Sequence, residues 1–224
     1  MASILVVCSG NLCRSPFAAA VLGRMLTERV GPSATEVSSA GTIAHAGEPA
    51  TREAIAVASE HGVDVSSHRA RPLTREDLAG ADLVLAVSTE HRDEVARLDP
   101  RAATKTFTVK ELVRLLGDLP SPERGAGREW LTARIAEAQA HRRAGFDGNP
   151  DDEDIADPLG HPLGTYRRRL SRPVRPEPAA GRDFPRVTGA HGGAARIPGL
   201  RHILTAHPSV DYPFVADVAP LVFD

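Results

Sequence analysis

Cysteine is scarce in this chain: 224 residues contain two, Cys8 and Cys13. A pair lying so close together near the start does not make a structural disulfide framework. Long apolar runs are missing as well, and no stretch approaches the length of a bilayer span. Excess charge of either sign is also lacking. The formal net charge of −2 does not supply the broad basic field that phosphate-backbone binding needs. Neither nucleic acid nor a membrane is therefore an expected partner. The N-terminus offers a short apolar stretch from Ile4, with no basic leader and no cleavage region, so export through a signal peptide is not expected. A cytoplasmic location is expected instead, where reducing conditions keep a nucleophilic thiol active.

What the sequence does have is concentrated in the run Val7-Cys8-Ser9-Gly10-Asn11-Leu12-Cys13-Arg14-Ser15-Pro16. Five residues between Cys8 and Arg14 suffice to curl the backbone into a cup, so that successive N–H groups point at one anion and the arginine closes the rim. The phosphate-binding residues would then be Ser9, Gly10, Asn11, Leu12, Cys13, Arg14 and Ser15, with Cys8 beneath the phosphorus. Residues 4–7 read as a buried strand, Ser15 as a helix N-cap, Pro16 as a first helical position and residues 17–22 as the helix itself. A strand, a loop and a helix N-terminus in that order form an anion site. The plain alternative is a buried Cys8 with Arg14 merely solvated. Given a cysteine, Arg six residues on followed by Ser or Thr arises by chance on the order of 1% of the time.

The rest of the chain alternates strands and helices. Residues 36–40 read as a strand ending at Gly41, and residues 50–61 as a helix stopped by Gly62. Residues 74–77 look like a capped short helix, 82–87 a buried strand, 90–98 a helix and 104–108 a fourth strand. Residues 110–116 and 128–143 have helical period, the second with Trp130, Leu131, Ile135 and Ala138 on one face. Such alternation predicts an α/β fold with a parallel sheet covered on both faces by right-handed crossovers. Ligands bind such sheets beyond the carboxyl ends of the strands, where the Cys8 loop lies. The acidic stretch 147–157 reads mostly as a solvated loop, and a further helix starts near Pro162 and carries Tyr166 and Leu170. From about Ser171 the chain becomes rich in Pro, Gly, Arg, His and Ala and loses its periodicity. This predicts a domain over residues 1–170 and a largely disordered or loosely docked extension over 171–224.

Five segments together resemble the low-molecular-weight protein tyrosine phosphatase family, in order and spacing as well as in content. They are the Cys8 run, Ser39-Ala40-Gly41-Thr42, His68-Arg69-Ala70-Arg71-Pro72-Leu73, Ala81-Asp82-Leu83-Val84-Leu85 and Asp157-Pro158. The resemblance implies a four-stranded parallel sheet flanked by helices and a cofactor-independent, metal-free phosphatase. It further implies a Ser15 hydroxyl bond to the nucleophile, an Asn11–Ser39 pair bracing the loop, and a bracing role for His68. Cys13 resembles the family cysteine that forms a reversible disulfide with the nucleophile under oxidation. The expected substrate is a phosphotyrosine protein, with a tyrosine kinase as a candidate partner.

Elementary chemistry supports the same catalytic residues. A free thiol near pKa 8.5 is about 3% ionised at pH 7, so a nucleophilic Cys8 needs N–H groups, a helix N-terminus and Arg14 to favour its anion. Arg14 would grip two phosphoryl oxygens in its planar fork. One carboxyl group can protonate the leaving oxygen and later activate water. Asp157 is favoured for that post over Asp99, which also precedes a proline but sits where a turn explains it. Asp154 is the nearer rival, while Asp151, Asp152 and Glu153 read with it as a solvated run.

Two departures from the family pattern bear on substrate. Leu159 and Gly160 follow Asp157-Pro158 where family tyrosine phosphatases often carry a stacking aromatic residue. Leu12 pulls the other way, because the family's arginine phosphatases resemble this loop but carry Thr there, and a bulky apolar side chain suits an aryl phosphate. Tyr166 is a second candidate for an aromatic contact, against its simpler reading as a core residue. Two other functions stay open on sequence: a thiol-dependent arsenate reductase, which would have to work with Cys8 and Cys13 alone, and a non-catalytic phosphate-binding module.

Overall fold

A computed structural model describes residues 1–31, 35–116, 127–145 and 153–170. The predicted extension 171–224 and the acidic positions 147–152 lie outside the described residues. Four parallel strands form one sheet in the order β2-β1-β3-β4: β1 (Ala2–Cys8), β2 (Thr35–Gly41), β3 (Leu83–Ala86) and β4 (Thr106–Thr108). The central pair, β1 and β3, is almost wholly buried, as the runs Ile4-Leu5-Val6-Val7 and Leu83-Val84-Leu85 require of strands covered on both faces.

Side chains alternate across that sheet. Ile4, Val6 and Cys8 point into the larger core, with Phe17, Leu22 and Leu26 of α1 (Arg14–Val30), Val57 of α2 (Arg52–Glu60) and Leu112 of α5 (Val109–Leu116). The same core takes Leu131 and Ala138 of α6 (Arg128–Arg143) and Tyr166 and Leu170 of α7 (Leu163–Leu170). Leu5, Val7 and Val84 face the other way, onto Leu78 of α3 (Arg75–Gly80) and Val95 of α4 (Thr89–Leu98). Burying Tyr166 settles its role as core.

Several helix starts follow their caps. Thr51 accepts from the Ala54 amide, Thr74 and Asp77 form a capping box, and Ser88 accepts from the His91 amide. Gly62, at φ +69°, ends the α2 segment as expected. Two expectations need correction. Residues 104 and 105 belong to a 3-10 helix, Pro100–Lys105, and not to the fourth strand, because Pro100 and the Asp99 cap start a helical turn first. Ser15 is not an N-cap either: α1 begins at Arg14 behind Cys13, and the Ser15 hydroxyl is committed to side chains of the loop.

The chain leaves β1 to one side for β2 and returns to the other side for β3. That reversal puts the topological switch point at the carboxyl ends of β1 and β3, where the loop of residues 9–13 lies.

Candidate active site

The loop between β1 and α1 turns on Asn11, a fully buried residue held at φ +55°. Asparagine tolerates this left-handed conformation better than most residues, yet it still costs on the order of 1 kcal/mol and needs support. Every polar group of its side chain is used. Nδ2 donates to Ser15 Oγ and Ser39 Oγ at 2.9 Å each, and Oδ1 accepts from the Arg71 amide at 3.1 Å. The Asn11 carbonyl accepts from His68 Nε2 at 2.8 Å, which fixes the proton on that nitrogen. Burial holds the half-buried His68 below the ordinary histidine range, and the neighbouring Arg69 and Arg71 act in the same direction. The segments around Ser39 and His68 thus meet on one residue of the loop.

Backbone contacts complete the cradle. The Thr42 amide donates to the Cys8 carbonyl at 2.9 Å, Ile43 to Ser9 at 3.1 Å and Thr51 to Leu12 at 3.1 Å. This close approach depends on Gly41. A Cβ there would lie 2.4 Å from the Ser9 oxygen, 2.8 Å from Ala44 Cβ and 2.9 Å from the Asn11 nitrogen. Two of those atoms are backbone, so Gly41→Ala must push the loop aside. The expected cost is about 3 kcal/mol, at the upper end for overpacking, seen as a drop in melting temperature of several degrees with a parallel loss of site function.

The two sulfurs are buried and free but have different surroundings. Cys8 Sγ lies 3.0 Å from Ser15 Oγ. Because that oxygen accepts from Asn11, its own proton is available to the sulfur, giving a donor chain Asn11 → Ser15 → Cys8. Cys13 Sγ instead sits 3.5 Å from both Thr51 Oγ1 and Tyr166 Oη. Burial pushes the Cys13 thiol up and moves Tyr166 to about 12, so both stay protonated at neutral pH. The loop also runs into α1, whose first-turn N–H groups have no intrahelical acceptor and whose dipole favours an anion.

Arg14 stands at the rim, its side chain 7% exposed. Nη1 donates to the Ile155 carbonyl at 3.1 Å; Nη2 reaches Ser9 Oγ at 3.3 Å and Asp157 Oδ2 at 2.5 Å. Asp157 is accordingly brought to the Cys8 loop, with its other oxygen accepting from the Leu159 amide at 3.1 Å. Asp99 is engaged elsewhere, capping the 3-10 helix and pairing with Arg101 beyond the far end of α4.

Of the acidic run expected to be solvated, Asp154 is exposed but Glu153 is not, and both are engaged by the rest of the domain. Glu153 is buried and pairs with Arg92 and Arg114, Asp154 accepts from the Thr89 amide at 2.8 Å, and Ile155 donates to the Val87 carbonyl at 2.9 Å. These contacts fasten the acid-bearing segment to the end of β3 and the start of α4, a use of charge that composition does not reveal. Among the described residues no group of His, Cys, Asp or Glu is arranged to hold a metal ion, and no helix is long and apolar enough to cross a membrane.

Sequence reasoning missed His91. It is 2% exposed, with Nε2 2.8 Å from Ser9 Oγ and Nδ1 in a short contact with Ser88 Oγ. The available signal was Ser88-x-x-His91, the spacing of a cap and its third helical residue. Burial, reinforced by the Arg14 charge, lowers His91 to about 4. Unfolding releases it to about 6.5, so in the window between these values the unfolded chain binds the extra proton. Stability from neutral His91 is thus complete above about pH 6.5 and declines as the pH falls toward 4, by roughly 2–3 kcal/mol. Urea unfolding across that range should show a shallower pH slope in His91→Gln.

Comparison with known proteins agrees with this geometry. Residues 3–141 match the family model for low molecular weight phosphotyrosine protein phosphatase. A protein-arginine-phosphatase from Geobacillus stearothermophilus is 35% identical over 164 residues, which is 73% of this chain and 83% of that protein. Among solved structures, a low molecular weight protein tyrosine phosphatase from T. tengcongensis is 34% identical with a TM-score of 0.55, covering 75% of this chain and 90% of that one. An arginine phosphatase variant, a Cys-to-Ser mutant with a phosphorylated active-site serine, is 27% identical with a TM-score of 0.54, covering 75% of this chain and 85% of that one. With the family model matching more than half of the chain over the strands and loop that build this site, the chain belongs to the low molecular weight phosphotyrosine protein phosphatase family and is a phosphatase.

Proposed function

We propose that the chain hydrolyses phosphotyrosine in proteins through a phosphocysteine intermediate on Cys8. The observation that carries this reading is the convergence of Cys8, Arg14 and Asp157 on one loop mouth, with the Ser15 hydroxyl positioned to donate to the sulfur. The Cys8 thiolate attacks phosphorus, forming the S–P bond as the P–O bond to the tyrosyl oxygen breaks. Asp157 gives its proton to that oxygen. In the second step Asp157 takes a proton from water, the water oxygen bonds to phosphorus, the S–P bond breaks and inorganic phosphate leaves. Backbone N–H groups of residues 9–15 and the Arg14 fork stabilise the equatorial oxygens in both steps. A dianionic phosphoryl group competes with Asp157 for Arg14 Nη2, so substrate binding frees the carboxyl for the leaving oxygen. The phosphorylated serine of the arginine phosphatase variant supports a covalent intermediate at the equivalent chemistry.

Support for an aryl substrate comes from the apolar groups beside the mouth. Leu12 is half-buried in the loop, while Ile43 and Leu159 are exposed just after Gly41 and Asp157-Pro158. The second reading, phosphoarginine, is favoured by the name of the Geobacillus relative and by the lack of an aromatic residue after Asp157-Pro158.

The test is hydrolysis of p-nitrophenyl phosphate, a phosphotyrosine peptide and phosphoarginine between about pH 5 and 8. The expected order puts phosphotyrosine about tenfold or more above phosphoarginine in kcat/KM. A reversed order transfers the substrate to phosphoarginine, and a folded protein that turns over none of the three overturns the reading. Asp157→Ala should lower kcat for the phosphotyrosine peptide about 10²–10³-fold, within the range for a lost general acid. The loss should be smaller for p-nitrophenyl phosphate, whose leaving group needs a proton less.

A further inference from the structure

We propose that His91 is a positioning residue for phosphoryl transfer, acting through the Ser9 hydroxyl to set the orientation of the Arg14 guanidinium. Among the described residues, three contacts hold that guanidinium: Asp157, the Ile155 carbonyl and Ser9 Oγ. A phosphoryl group that displaces Asp157 leaves two, of which Ser9 is the tether on the phosphate-loop side. Ser9 is itself aimed by His91, at 2.8 Å.

The hydrogen bonds close in one consistent scheme. Ser9 Oγ accepts from Arg14, which turns the Ser9 proton toward His91 Nε2. Nε2 must then be an acceptor, which places the ring proton on Nδ1, facing Ser88 Oγ. Ser88 Oγ also accepts from the His91 amide and so holds the ring from its own helix. A doubly protonated ring would instead donate to Ser9 Oγ, compete with Arg14 for that oxygen and place a cation beside a cation. The charged groups around the ring are Arg14 from the start of α1, Asp154 and Asp157 from the acid-bearing segment, and Glu94 from α4 itself. With the ring buried and Arg14 beside it, the neutral form this scheme needs is the resting one at neutral pH.

The inference rests on the phosphatase reading, and its test separates the two. The Gln amide extends to where Nε2 lies, whereas the Asn amide overlays Nδ1 and reaches Ser88 only. His91→Gln should therefore keep kcat for p-nitrophenyl phosphate within about threefold of wild type, while His91→Asn loses about 10- to 50-fold with KM little changed, as a small misplacement of a catalytic group does. Ser9→Ala should show the same deficit, and Ser9→Ala/His91→Asn no more than either single change. Inhibition by orthovanadate, which mimics the transition state, should weaken in step with kcat, and inhibition by inorganic phosphate should change less than threefold. Equal activity of the Asn and Gln variants, or multiplying losses in the double variant, overturns this inference while wild-type turnover keeps the phosphatase reading. Absence of wild-type turnover overturns both. Should the His91 variants fail to fold, Ser9→Ala decides alone: unchanged kcat and orthovanadate inhibition refute the tether.

Discussion

Cys8→Ser is expected to lower turnover of p-nitrophenyl phosphate by about 10⁴-fold or more, as removal of a nucleophile does, while the protein stays folded and still binds inorganic phosphate. The fold should survive because the loop does not depend on the sulfur. Asn11 holds it through Ser15, Ser39, Arg71 and His68, and Thr42 and Ile43 hold its backbone. The replacement hydroxyl is of similar size and can take the Ser15 bond, although it lacks the thiol's access to an anion near neutral pH. Phosphate binding rests on Arg14 and on N–H groups that the substitution leaves in place. Calorimetric titration with phosphate beside steady-state assays checks both halves. Loss of turnover with retained binding fits a nucleophile. Retained turnover moves the chemistry off Cys8, and a non-catalytic binding module would lose nothing.

The fold was legible wherever local chemistry and global packing agree. Ile4-Leu5-Val6-Val7, short, β-branched and followed by turn residues, reads as a strand buried on both faces, and Thr74 with Asp77 declares a helix start without tertiary help. The fourth strand was overextended because Thr104 and Lys105 have no pattern that separates a strand from a 3-10 turn. That distinction is made upstream by Asp99 and Pro100. At the site, the Cys8 run is local and was visible as such, and the Ser39 and His68 segments were placed beside it through the family resemblance. What escaped were contacts between segments far apart in sequence. Ser15 looked like a cap because caps are its commonest local use, yet its oxygen is claimed by Asn11 and Cys8. Glu153 looked solvated because its partners Arg92 and Arg114 lie on α4 and α5, far from it in sequence. His91 meets Ser9 across 82 positions. Neither periodicity nor composition encodes such a pairing.

Arg14→Lys provides the sharper test of geometry, because it keeps the charge and removes the fork. The guanidinium serves three acceptors from two nitrogens, the Ile155 carbonyl from Nη1 and Ser9 and Asp157 from Nη2. A lysine ammonium is a point donor on a flexible stem and cannot present two parallel N–H bonds to a phosphoryl group. It also leaves buried acceptors among Ile155 and Ser9 underserved, which should cost about 1–2 kcal/mol of stability. The larger effect falls on turnover. Charge spreads over the equatorial oxygens in the transition state, and donors fixed in advance gain most there. The expected loss in kcat/KM is about 10³-fold, in the range for removing a fixed donor, while phosphate affinity, which depends more on net charge, falls by less than about tenfold. Measured on p-nitrophenyl phosphate with phosphate as competitive inhibitor, that split separates orientation from attraction. A lysine variant within tenfold of wild type would mean that positive charge at the rim suffices, and that the Ser9 and Ile155 tethers serve stability alone.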